Sequence, residues 1–203
     1  MTKSLDTETK ILAAAREVFT AKGFAGTRMQ EVADKAEINK AMLHYYFRSK
    51  EKLFKVVFSE TATAHIQGII NIIRQDLAVV EKLEALIRHI FRFNRQNPGM
   101  QIFMMHELAQ GQSMVFKEMA CNFGLPDLMS EMYQQINDEA AAGKIRSIDP
   151  FQLIIHCKAL AIFPFVGKSS IQVMGDLDNE AYEHFLDRQE EAAVDLMRAA
   201  LQP

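Results

Sequence analysis

Lys40, Ala41, His44 and Tyr45 recur at the spacing that puts them on one side of a helix. A cation beside imidazole and phenol donors, with a methyl group between them, suits a helix laid in the major groove of DNA. The polar tips would meet phosphates, and the small or apolar groups would lie against base edges. Val32, Ala33, Ile38, Leu43 and Phe47 can point the other way and lock two short helices across a tight turn. The rest of the chain offers no competing chemistry. No nucleophile, base and orienting group fall together, no glycine loop could cradle a phosphate, and His156 next to Cys157 lacks metal-ligand spacing. No catalytic residue, cofactor or metal is expected.

The elements that must hold this set are helical from end to end. Asp6 is read as the cap of a first helix carrying Ile11, Leu12, Ala15, Val18 and Phe19 on one face, stopped by Gly23. Thr27 and Gln30 have the spacing of a capping box for a second helix ending near Ala36. Asn39 caps a short third helix, and Ser49 a long fourth one whose first apolar face is Leu53, Phe54, Val57 and Phe58. Glycines and prolines divide the remainder into helices near 79–96, 100–110, 113–142 with a break around Pro126, 150–167 and 178–201. Asp149-Pro150 is a cap followed by a proline at the first helical position. The fold class is all-α, with residues 1–50 as a three-helix DNA-binding domain and 51–203 as a helical ligand-binding and dimerisation domain.

Charge agrees with this division. Residues 1–55 hold 11 Lys/Arg and 7 Asp/Glu, whereas residues 56–203 hold 12 and 19, within a net charge of −3. A basic segment on an acidic protein is the footprint of a small nucleic-acid module. Hydrophobic residues make up 49% and charged residues 24%, a globular balance. With two cysteines, no apolar run of about 18–20 residues and no signal-peptide pattern, the chain reads as cytoplasmic, without a membrane partner.

Residues 27–54 resemble the TetR family signature, in which a tight turn leads to a recognition helix and then a Ser-Lys-Glu-x-Leu helix start. Ala36, Ile38, Lys40, Leu43, Tyr46, Phe47, Ser49, Lys50, Glu51 and Leu53 match it, as does the upstream run from Ile11 to Phe19, Gly23-Phe24 and Thr27. Three positions depart from the pattern: Glu37 and Ala41 stand where glycine is usual, and His44 where tyrosine is usual. The resemblance implies a dimeric transcriptional regulator binding double-stranded operator DNA. Thr27, Asn39, His44, Tyr45, Tyr46 and Lys50 would contact it with Lys40, Ala41, Arg28 and Gln30, these last four reading bases.

The C-terminal part is rich in Met and Phe, and methionine adapts its shape to varied ligands. In the region where the family places its effector cavity, Phe93, Phe103, Met104, Phe116 and Met119 are candidate walls for a small hydrophobic effector. His106 and Glu107 are candidate polar contacts. The 150–167 helix is apolar nearly all round and must be buried on more than one side. Phe151, Ile155, Leu160 and Phe163, with Phe185 and Leu196 of the last helix, resemble the family's homodimer interface. The reading is a repressor released by its effector. An activator or a protein-responsive regulator is the alternative within the class, and a helical enzyme the rival outside it.

Overall fold

The computed structural model describes residues 2–109 and 121–203, and the side chains of residues 2–5, 25, 58, 60, 61, 103 and 106–109 lie outside that description. The described residues form ten helices and no strand: α1 (Thr2–Gly26), α2 (Met29–Lys35), α3 (Lys40–Tyr46), α4 (Lys50–Ile73), α5 (Val79–Gln96), α6 (Met100–Ala109), α7 (Leu125–Ala141), α8 (Pro150–Val166), α9 (Lys168–Gly175) and α10 (Asn179–Ala200).

Most helix starts follow from local chemistry. Asn39, Ser49 and Asp149 each accept the backbone N–H three residues ahead, at 2.7, 3.2 and 2.8 Å. Each satisfies a donor that the first helical turn would otherwise leave unpaired. Two expected caps do not form. Asp6 lies inside α1, which already runs from Thr2, and its carboxylate sits 3.6 Å from the Lys10 amine. The capping box before α2 is shifted by one residue: Arg28 is the cap, and the Glu31 carboxylate accepts its backbone N–H at 3.4 Å. Thr27 instead donates its hydroxyl to the Gly23 carbonyl at 2.8 Å. That carbonyl lost its helical partner when the chain turned at Gly23 (φ 68, ψ 176), a conformation glycine reaches without steric cost. Gln30 donates to the Asp34 carboxylate at 2.7 Å.

Two hydrophobic cores share α4. The first gathers Ile11, Ala15 and Phe19 of α1, Val32, Ala33 and Leu43 of α2 and α3, and Leu53, Phe54 and Val57 of α4. The second holds Ile70 and Ile73 of α4 with α5, α7, α8 and α10 around Leu83, Ile87, Phe91, Met132 and Leu186. The first core is not closed by residues 1–57 alone, since Phe93 of α5 and Met100 of α6 are buried in it. At the same junction the α5–α6 turn at Gly99 (φ 83) lies against Gly23. Exposed ion pairs tie α5 to α10, Arg95 to Asp187 at 2.7 Å and Arg198 to Glu84 at 2.8 Å.

One helix was not expected. The chain breaks at Gly167 and turns by 75° into α9. A β-carbon at Gly167 would crowd the Phe163 ring at 3.0 Å. The Pro164 carbonyl, in the last turn of α8, accepts the Tyr182 hydroxyl from α10. Among the described residues, no single helix is long and apolar enough to cross a membrane.

Candidate nucleic-acid interface

α2 and α3 are short helices joined by a turn that depends on Glu37. Its φ of 56° lies in the left-handed region, where a β-carbon costs about 1 kcal/mol. The turn is held by N–H bonds from Glu37 to the Asp34 carbonyl (3.1 Å) and from Ile38 to the Ala33 carbonyl (3.0 Å). Packing then sets the orientation of α3. Leu43 and Phe47 are buried, so the opposite side, with Lys40, Ala41, His44 and Tyr45, faces solvent. Tyr45 is 82% exposed, far more than its apolar ring warrants unless something covers it. α3 contains no carboxylate. The result is a convex helix face bearing a cation, an imidazole and a phenol, with a methyl between them. A phosphodiester surface complements such a face.

The other expected DNA contacts are distributed less evenly. Arg28 and Asn39 are exposed beside the α3 face, Asn39 with its side-chain oxygen engaged as the cap. Gln30 is exposed but bonded to Asp34. Tyr46 is half-buried against the first core and meets Tyr45 edge-on at 5.5 Å. Thr27 is 2% exposed and its hydroxyl points back to α1. Lys50 is half-buried. Its ammonium donates to the Phe24 and Thr27 carbonyls at 2.9 and 3.1 Å and lies 4.4 Å from the centre of the Phe24 ring. In this structure Lys50 binds the α1–α2 connection to α4. Exposed Arg48, in the turn between α3 and α4, was not singled out in the sequence. Its position immediately after the recognition helix was the available signal. Met42, also exposed, sits at the edge of the same face.

A cavity of about 480 Å³ opens where α1, α4 and α5 meet. Phe93 lines it as expected, together with Arg16, His65, His89, Arg92, Gln96 and Asn97. This lining is more polar than the density of Met and Phe predicts. Met104 is not part of it and packs on the first core. Phe116 and Met119 lie outside the described residues, as do the side chains of Phe103, His106 and Glu107. Asn94 is buried and donates to the Ile90 carbonyl.

The two histidines form a pair. His89 Nε2 lies 3.1 Å from His65 Nδ1 and 3.2 Å from the His65 carbonyl oxygen. A carbonyl only accepts, so Nε2 of His89 carries the hydrogen and Nδ1 of His65 is unprotonated. Burial, with His89 and then Lys158 adding repulsion, pushes His65 down to about 4. Burial lowers His89 as well. Gly68 makes the pair possible, because a β-carbon there would overlap the His89 ring. Elsewhere, Cys157 is buried and its thiol is pushed up to about 12 by desolvation, which makes it inert. Among the described residues no three His, Cys, Asp or Glu side chains could hold a metal ion.

On the apolar side, Phe151, Ile155, Phe163 and Leu196 are 60, 45, 54 and 56% exposed. Leu160 and Phe185 are half-buried against the second core at the margin of this surface.

Comparison with known proteins agrees with this geometry. Residues 11–57 match the profile of the bacterial regulatory proteins of the tetR family. The HTH-type transcriptional regulator RutR of Escherichia coli K12 is 30% identical over 144 residues, which cover 71% of this chain and 66% of RutR, slightly under two thirds of its length. A transcriptional regulator of the TetR/AcrR family from Thermobifida fusca superposes with a TM-score of 0.65 at 18% identity, over 93% of this chain and 97% of that one. AibR, crystallised with isovaleryl coenzyme A and operator DNA, gives 0.60 at 22% identity, over 78% of this chain and 85% of AibR. At these identities the two structures establish the shared fold.

Proposed function

We propose, from the match of residues 11–57 to the tetR profile and the 30% identity to RutR, that this chain is a member of the tetR family of bacterial regulatory proteins, a transcriptional repressor of the cytoplasm that binds a palindromic operator as a homodimer and releases it when a small effector binds. The observation that carries this reading is the solvent-facing side of α3, with Lys40, Ala41, His44 and Tyr45 exposed together and no carboxylate on the helix. Residues 1–50 are the DNA-binding unit, with Arg28, Gln30, Asn39 and Tyr46 around the recognition helix. Thr27 and Lys50 act by fixing the α1–α2 connection, their hydroxyl and ammonium being engaged with backbone carbonyls. Residues 51–203 dimerise and sense.

The uncovered apolar faces of α8 and α10 support the dimer. Four large apolar side chains left about half exposed form a patch of the kind that marks an interface. Pairing these faces about a twofold axis sets two α3 helices on one side of the assembly, about 34–36 Å apart for successive major grooves. AibR, whose structure holds both isovaleryl coenzyme A and operator DNA, supports the idea that one such fold serves ligand and DNA together.

The test is enrichment of random duplexes on the full-length protein, followed by footprinting. Two inverted half-sites about one turn apart are expected. Failure to enrich any sequence above non-specific binding at physiological salt overturns the reading.

A further inference from the structure

The recognition helix has two flanks of different chemistry. α3 turns by about 100° per residue. With Leu43 and Phe47 buried, that turn puts Ala41 and Tyr45 at the middle of the outward side. Exposed Lys40 and His44 fall on one flank of it and Met42 on the other. Met42 is 42% exposed and belongs to neither hydrophobic core. The polar groups nearest in sequence are already engaged. The Asn39 side-chain oxygen accepts the Met42 backbone N–H at 2.7 Å, and Gln30 donates to Asp34 at 2.7 Å. Ala41 carries only a methyl, and a thioether is at most a weak acceptor. This flank therefore meets base edges with apolar surface. In the major groove the apolar feature of a base edge is the 5-methyl group of thymine.

We propose that Met42 is a specificity-determining residue that reads a thymine 5-methyl group, on the flank of α3 opposite Lys40 and His44. Ala41 makes the contact possible, because a small side chain at the middle of the face lets the helix close on the base edges. The contact removes the exposed part of Met42 and the thymine methyl from water together, a gain that needs no hydrogen-bond geometry. More than half of Met42 is already covered in the protomer, so less rotamer freedom is lost when it is held on the duplex. Each operator half-site then carries thymine at the position facing Met42, and cytosine, which lacks the methyl, does not replace it. The inference rests on the operator reading above and adds which base is read and through which group.

Operator duplexes obtained by enrichment, with thymine replaced by uracil one position at a time, test it. Uracil lacks only the 5-methyl group and keeps both the O4 acceptor and the pairing. Affinities of the full-length protein are read by fluorescence anisotropy. One thymine in each half-site is expected to cost about three- to fivefold per methyl removed, the worth of burying one such group. In Met42→Ala that loss should vanish, with the melting temperature unchanged because the side chain lies outside both cores. Lys40→Ala should weaken thymine and uracil duplexes alike and keep their ratio. Specific binding that is equal with thymine and uracil at every position overturns the inference and leaves the operator reading standing. A thymine preference that persists in Met42→Ala overturns the assignment to Met42. Failure to enrich any sequence overturns the operator reading and this inference with it.

Discussion

The outward faces of α3 and α8 are both exposed, and they differ in what they offer. α3 presents Lys40, His44 and Tyr45 around a single methyl, a surface water solvates well and a polyanion satisfies better. α8 presents Phe151, Ile155 and Phe163, which water solvates badly. Each face therefore points to a partner through what the protomer leaves unsatisfied: charge complementarity on one, apolar surface on the other. The comparison also separates affinity from geometry. α3 can touch DNA in a lone protomer, but in the proposed dimer it is the pairing of α8 and α10 that would fix where the second α3 lies.

The largest expected effect follows from that dependence. Phe163→Glu or Leu196→Glu places a charge in the proposed interface at a position solvated in the protomer, so the helices should form with unchanged circular dichroism. Sedimentation should show a monomer, and operator affinity should fall on the order of 10²–10⁴-fold, the range lost when two tethered contacts become one. Wild-type protein sedimenting as a monomer at micromolar concentration would break the comparison, because the apolar face would then need another partner.

Acid should act next most strongly, at α4 and α5, which join the two faces. His65 has an ordinary value of 6.5 and is pushed down to about 4 when folded. Between those values the unfolded chain binds a proton the folded one excludes. The stability is therefore complete above pH 6.5 and lost progressively as pH falls toward 4, by roughly 2–3 kcal/mol. His89 contributes in the same direction, and Lys158 and Arg92 oppose protonation of the pair. Urea melts across this window should show the slope, and His65→Phe, which keeps a ring against Phe93, should flatten it. An equal slope in the variant removes His65 as the cause.

The third prediction crosses two positions that the family signature treats alike. Lys50→Ala removes bonds to the Phe24 and Thr27 carbonyls and should cost about 1–2 kcal/mol of stability, visible as a lower melting temperature. Tyr45→Ala should leave melting unchanged and weaken operator binding about tenfold. Equal melting temperatures for Lys50→Ala and wild type would return Lys50 to the DNA-facing set.

What was legible in the sequence was local. Asn39, Ser49 and Asp149 cap because a short polar side chain reaches an amide three residues ahead, whatever surrounds it. At Glu37 the sequence shows only a residue standing where the family pattern has glycine, and its φ of 56° supplies the reason a glycine is usual there. Thr27 and Gln30 imitate a capping box, and the reading failed because the Gly23 carbonyl, freed by the α1 break, competed for the hydroxyl. In α8, apolar on every side, composition could not say that Leu153, Cys157 and Ala161 face the core while Phe151 and Phe163 stay outside. The cavity was the least legible. Its parts come from residues 16, 65 and 89–97, brought together by the docking of α5 onto the DNA-binding core rather than by any spacing along the chain.

The smallest expected effect separates the two faces by their response to salt. Lys40 on α3 and Lys158 on α8 are both exposed lysines, so each could be called a surface cation with no particular role. If α3 lies on DNA, Lys40 displaces a condensed counterion from a phosphate, and Lys40→Ala should flatten the dependence of log affinity on log salt by about one unit per protomer. Lys158 lies on α8, the helix whose exposed Phe151, Ile155 and Phe163 belong to the proposed dimer interface. Lys158→Ala should leave the salt slope where it was, whatever it does to dimer strength. Titrations at several salt concentrations, with protein well above the dimerisation midpoint, isolate this term from assembly. If instead Lys158→Ala flattened the slope and Lys40→Ala did not, the two faces would have to exchange roles.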